Sequence, residues 1–223
     1  MRPDQEIIQR WIEPDSRVLD LGCGDGSLLA NLKLTKRVKG TGLEIDSDKI
    51  QTCVERGLNV IEQNLDAGLW NFQTDSFDTV LLAQTLQALS HPDQLIDEML
   101  RVGRRGIVTF PNFGNWKSRV YLSSKGQMPV SKFMPHAWYD TPNIHFCTVR
   151  DFDALCKEKN IRILERTVVD LKHEGSLSMR LFPNLLGEVS VRFARRVLEG
   201  RLSMSSMTAV LFECEWYFCQ SAP

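Results

Sequence analysis

The sequence predicts an α/β protein: a doubly wound, mostly parallel sheet with helices on both faces. Three observations carry that prediction. Short apolar runs alternate with helical segments of about three turns up to residue 110, a rhythm that joins parallel strands by right-handed crossovers. The first strand, Val18-Leu19-Asp20-Leu21, runs into Gly22-Cys23-Gly24-Asp25-Gly26 and then directly into a helix. The second ends in an acidic residue, Glu44. Such sheets bind ligands outside the carboxyl ends of their strands, where the strand order reverses.

Taken in order, Pro3–Ile12 reads as a helix with Ile7, Ile8, Trp11 and Ile12 on one side. Arg17–Leu21 is a buried strand and Gly26–Leu34 a helix with Leu28, Leu29 and Leu32 inward. A strand over Val38–Ile45, a helix over Ser47–Arg56 and strands over Leu58–Glu62 and Phe77–Ala83 follow. The helix Pro92–Val102 carries Ser90 and Asp93 at a capping-box spacing, and Gly106–Phe110 closes the regular part as a strand. Residues 111–148 are rich in proline, aromatic and polar side chains, and read as an irregular lid. Thr148 and Asp151 then offer a second capping box for a helix to about Lys159, followed by a strand at Ile161–Asp170. Leu186–Arg192 and Thr208–Phe218 both look strand-like, and either can join the sheet. The expected organisation is one domain over 1–195, with 196–223 a C-terminal segment of undecided role.

Composition narrows the function classes. The 223 residues include 27 Lys+Arg against 28 Asp+Glu, a formal net charge of −1 that gives no general pull toward nucleic acid or an anionic membrane. At 43% hydrophobic and 25% charged the chain is ordinary globular material. The six cysteines have no C-x-x-C spacing and read as reduced thiols. The first residues have no apolar signal-like run, and no stretch is long enough to span a bilayer. The expected location is cytoplasmic.

The glycine turn carries the chemistry. Alternate glycines let the backbone turn sharply and approach a ligand with no Cβ in the way. A carboxylate at the end of the second strand, here Glu44, can accept both hydroxyls of a ribose. Nicotinamide and flavin dinucleotides want G-x-G-x-x-G and a helix dipole on a pyrophosphate, whereas this spacing is G-x-G-x-G with Asp20 just before it. An extra carboxylate repels pyrophosphate and suits a ligand bearing an ammonium and a sulfonium, S-adenosylmethionine (SAM). A dinucleotide oxidoreductase and a turn with no ligand are the alternatives.

With Asp20, Glu44 and Asp75-Ser76-Phe77-Asp78 ahead of a later strand, the chain resembles the class I SAM-dependent methyltransferases. The resemblance implies that Gly22, Gly24 and Gly26 pass under the methionine part and that Asp20 holds its amino group. It implies Glu44 on the ribose and Ile45 on adenine. Asn64 and Leu65 fall where the family often reads the adenine amino group, and Gln84 faces the methionine end or the acceptor. For Ile45 and Leu65, ordinary core packing is the competing reading. S-adenosylhomocysteine would bind as product.

Phe110-Pro111-Asn112-Phe113-Gly114, Trp138-Tyr139-Asp140-Thr141-Pro142-Asn143-Ile144-His145, Gln84-Thr85-Leu86-Gln87 and Pro183-Asn184-Leu185 are more specific. With Ser76-Phe77-Asp78 they are similar to the MetW family of methionine-biosynthesis proteins, over residues 1 to about 195. That resemblance implies the homoserine O-acyltransferase MetX as a partner. Beyond about Val197 the likeness ends, leaving Cys214, Trp216 and Cys219 without a role.

Pro111-Asn112-Phe113 superficially suggests a base-methylating enzyme, but it follows the fifth strand and no basic stripe accompanies it. Trp116, Tyr121, Phe133, Trp138, Tyr139 and Phe146 can wall an acceptor pocket, form a docking face or pack as a lid. His136 and His145 are the candidate general bases, with Gln84 positioning the reacting groups. His145-Phe146-Cys147 has no second ligand pair for a metal. Arg192, Arg195, Arg196 and Arg201 read as a solvated basic face. Two functions stay open: an active methyltransferase, and a SAM-binding companion of the acyltransferase.

Overall fold

The computed structural model describes residues 2–131, 135–169, 179 and 181–196. Within them the chain runs α1 (Pro3–Trp11), β1 (Arg17–Leu21), α2 (Ser27–Lys36), β2 (Lys39–Glu44), α3 (Ser47–Glu55), β3 (Asn59–Glu62), β4 (Thr79–Ala83), α4 (Pro92–Val102), β5 (Gly106–Pro111), α5 (Trp116–Lys125), α6 (Val149–Glu158), β6 (Ile161–Val169), α7 (Pro183–Leu186) and β7 (Val189–Arg196). Short 3-10 turns at Leu65–Ala67 and Leu86–Ala88 follow β3 and β4.

The strands form one sheet in the order β3-β2-β1-β4-β5-β7-β6. β1 to β5 pair in parallel, and β7 enters antiparallel between β5 and β6. The order reverses between β1 and β4, so the carboxyl end of β1 is the expected ligand position. Both faces are covered, which is why the central strands read as unbroken apolar runs. Leu19, Leu21, Leu43 and Leu82 point into one apolar layer with α4, while Val18, Leu81 and Ile107 face α1 and α2 in the other. Each such side chain contributes roughly 1.5–3 kcal/mol on full burial.

Helix α1 closes the second layer. Ile7, Ile8 and Ile12 are buried there, and Trp11 stacks on Phe193 of β7 at 5.7 Å between ring centroids. The helix therefore bridges from the β1 side of the sheet to the inserted strand.

Three expectations are corrected. The 111–148 segment is not irregular throughout: Asn115 accepts from the Lys117 amide at 2.9 Å and starts α5 inside it. Ser90 does not cap α4, because its amide and hydroxyl both donate to Asp66 at 2.9 Å; His91 precedes the helix and Pro92 opens it. Arg192 is not on a solvated face. It is 1% exposed, with Nε donating to Asp153 at 3.1 Å and Nη1 to the Thr167 carbonyl at 3.2 Å. Burial pushes its guanidinium pKa down, and the Asp153 charge opposes that. The strand-like stretch Leu186–Arg192 joins the sheet, with its bounds shifted to Val189–Arg196; Thr208–Phe218 lies outside the described residues, as do Phe133, Arg201, Cys214, Trp216 and Cys219.

Candidate functional site

At the end of β1 the chain turns through Gly22 (φ 74°) and Gly24 (φ 59°) into Gly26, which precedes α2. Left-handed backbone of this kind is costly for any residue with a Cβ. At Gly22 space is also lacking, since a Cβ would sit 2.7 Å from Thr85 Oγ1. At Gly24 the reverse holds: nothing lies within 4 Å of where a Cβ would be, so this turn borders open space.

Most of the turn's amides are spent internally. Gly22 and Cys23 donate to the Leu43 carbonyl at 2.8 and 3.0 Å, and Gly26 to the Cys23 carbonyl at 3.1 Å. Gly24 donates to Glu44 Oε2 at 2.8 Å, and Ser27 to Asp25 Oδ1 at 3.1 Å. A pyrophosphate site needs those N–H groups free. The dinucleotide reading loses its main support here.

Glu44, buried at the end of β2, is committed to the backbone. Its Oε1 accepts from the Ile45 and Asp46 amides at 3.0 and 3.1 Å, beside the Gly24 bond. It thus ties the glycine turn to the start of α3. Ile45 is 60% exposed next to it. Asn64 is exposed, and its side-chain oxygen accepts from the Asp66 amide at 3.0 Å, capping the turn after β3. Leu65 is buried among the core side chains against α4, the packing alternative raised for it above.

Asp20 is the unusual group. It is 2% exposed, and its Oδ1 has no hydrogen-bond partner among the described residues. Burial raises its pKa to about 7; the Arg2 charge works against the shift and the Glu44 charge adds to it. A buried carboxyl atom with no partner is expensive, on the order of 1–3 kcal/mol. It borders a cleft of about 570 Å³ whose walls include Gly22, Gly24, Arg2, Gln5 and Asn31. Asn31 Oδ1 is likewise buried and unpartnered among the described residues.

The roof comes from the amino end of α1, a contribution the sequence reading missed because only the apolar side of that helix was used. Asp4, 3% exposed, accepts from the Thr109 hydroxyl at 3.2 Å and faces Arg2 Nε at 3.4 Å. Thr109 in turn accepts from the Gln84 amide at 3.1 Å and lies 3.4 Å from its Nε2. Gln84 adopts φ 61°, a strained conformation for glutamine, beside Ala83 of the cleft wall.

The lid segment is anchored on the same loop. The Ile144 and His145 amides both donate to the Gln87 carbonyl, at 2.8 and 3.0 Å. Asn112 is a structural hub: its Nδ2 donates to the Asn184 and Gly187 carbonyls, and its Oδ1 accepts from Gly114 and Val149. With all four bonds made, it has nothing left for a flipped base. His145 is exposed, with Nε2 3.4 Å from the Ser90 carbonyl, and His136 is exposed at a bend; neither lines the cleft. Trp138 and Tyr139 are 74% and 76% exposed, and Trp116, Tyr121 and Phe146 are also open to solvent.

Comparison with known proteins decides the family. The model for "Methionine biosynthesis protein MetW" matches residues 2–194. This chain belongs to the MetW family. A relative in Rhodopirellula baltica, the bifunctional methionine biosynthesis protein MetXA/MetW, is 35% identical over 197 residues. The match covers 84% of this MetW-family chain but only 32% of that relative. Among solved structures, a SAM-dependent methyltransferase from Archaeoglobus fulgidus superposes with a TM-score of 0.59 at 15% identity, covering 86% of this chain and 94% of the other. The [4+2]-cyclase SpnF superposes equally well, TM-score 0.59 at 15% identity, covering 87% and 80%. The MetW-family chain therefore has the class I methyltransferase fold, a fold that also carries other chemistry. Among the described residues no helix is long and apolar enough to cross a membrane.

Proposed function

We propose that this methionine-biosynthesis protein binds S-adenosylmethionine at the glycine turn and acts there as the companion of a MetX-type homoserine O-acyltransferase. The observation that carries the ligand is the unpartnered Asp20 Oδ1, buried at a cleft with Gly24 open beside it. The donor set fits the ligand: a buried carboxylate for the α-ammonium, a glycine-lined floor for the methionine chain, and Glu44 with acceptor capacity left for a ribose hydroxyl. When bound, SAM supplies an electrophilic methyl on a sulfonium. The chain's own residues hold and orient it: Asp20 through charge, Glu44 by fixing the turn.

The companion role is supported by the relative that carries both names on one chain, and by the exposed position of both histidines away from the cleft. SAM occupancy would then report methionine sufficiency, which is allosteric only if the ligand binds the free and complexed states differently. Calorimetry with SAM and S-adenosylhomocysteine on the wild type and Glu44→Ala tests the ligand. Titrating SAM into the reconstituted acyltransferase complex tests the role. A rate that ignores SAM removes the sensor, and failure to co-purify removes the partner.

Active methyl transfer to a small acceptor is a second reading, favoured by the strained Gln84 next to Ala83 of the cleft wall. There Gln84 would align an acceptor in line with the methyl while the lid excludes water. Methyl-labelled SAM with a metabolite pool tests it, and no labelled product counts against it.

A further inference from the structure

Resting on the SAM reading above, we infer that Arg2 receives the α-carboxylate of the ligand whose α-ammonium Asp20 takes, so that the cleft selects an intact α-amino acid group. The cleft wall carries two acidic residues, Asp20 and Asp25, and among its described residues a single cation, Arg2. A ligand carboxylate entering beside those acids needs a positive partner. The glycine turn supplies little of one, because the amides of Gly22, Cys23, Gly24, Gly26 and Ser27 already donate within the protein.

Arg2 is aimed for the task. Asp4 draws its Nε at 3.4 Å and is itself fixed by the Thr109 hydroxyl at 3.2 Å. Both terminal guanidinium nitrogens are left without a bond among the described residues, so the fork can take a carboxylate through two parallel hydrogen bonds. Gln5 stands next to it. Its Oε1 accepts from the Arg2 backbone amide at 3.3 Å, which turns Nε2 into a second donor at the cleft. Asp4 is thus the positioning residue, and Arg2 and Gln5 are the groups that touch ligand. The competing role for Arg2 is a plain counter-ion for Asp4 and Asp20.

The two roles differ in sign for SAM itself, which Arg2→Ala weakens if Arg2 binds the carboxylate and does not weaken if Arg2 is only a counter-ion. Decarboxylated SAM keeps the ammonium, sulfonium and adenosine. If Arg2 reads the carboxylate, the wild type binds SAM about tenfold or more tighter than the decarboxylated form. In Arg2→Ala that ratio falls to about one, with decarboxylated SAM gaining affinity because a like charge has left. Gln5→Ala lowers the ratio in part. Arg2 is half exposed, and unchanged thermal melts verify that the variant folds; the wild-type ratio needs no variant at all. Calorimetry with both ligands on both proteins decides. Equal affinities in the wild type, or an undiminished ratio in Arg2→Ala, overturns the inference. A wild type that binds neither ligand instead refutes the SAM reading, and this inference with it.

Discussion

Affinity for SAM is expected to fall steeply on acidification, because Asp20 must be charged to receive an ammonium. In the ligand-free protein burial holds its pKa near 7, above the ordinary value of 3.8, with the Arg2 charge opposing and Glu44 adding. The bound cation favours the charged form, so binding below pH 7 expels a proton. At pH 6 about one molecule in eleven is already charged, which places the association constant about tenfold below its plateau, roughly 1.4 kcal/mol. The expected proton release at that pH is about 0.9 per ligand, read by calorimetry in buffers of different ionisation enthalpy. Asp20→Asn should bind more weakly and lose the acid limb. The same shift acts on folding with the opposite slope. Between about pH 4 and 7 the unfolded chain has lost this proton while the native state keeps it, so stability declines as pH rises through that window. Affinity that stays flat from pH 7.5 down to 5.5, or an acid limb that persists in Asp20→Asn, refutes the reasoning.

Gly24→Ala is expected to cost about 1 kcal/mol in urea unfolding, from left-handed strain alone, yet to weaken SAM at least tenfold by filling the open side of the turn. Gly22→Ala should be several kcal/mol worse for stability, because its Cβ meets Thr85 as well; equal melting temperatures for the two would contradict this. Asn112→Ala, which removes four hydrogen bonds, three of them buried, should destabilise by about 2–4 kcal/mol and leave SAM affinity near wild type in the folded fraction. Arg192→Ala should cost about 2–5 kcal/mol, chiefly by leaving a cavity at a 1% exposed position, since Asp153 is partly exposed and keeps Arg166 at 3.8 Å, while Arg192→Met recovers most of it. Chemical denaturation of the three proteins separates these outcomes.

The parallel half was legible because strands covered on both faces have no polar side to confuse the pattern. Helix α5 escaped notice for the opposite reason: Val120, Tyr121 and Leu122 are consecutive and exposed, so no stripe at helical spacing marks it. β7 was ambiguous since a buried arginine interrupts its apolar alternation. In the site, Asp20, Gly22, Gly24 and Glu44 are neighbours through one crossover, so proximity in sequence reports proximity in space. The Asp4–Thr109–Gln84 chain joins residues more than a hundred positions apart, and no local pattern announces it.

Every described side chain on the cleft wall comes from residues 2–83, yet the helix that roofs it leans on Phe193. During synthesis the walls therefore emerge from the ribosome well before the strand that steadies their cover. A nascent chain of the first half has its basin without a firm ceiling. Tight retention of any occupant must wait until the last hairpin slots in beside β5.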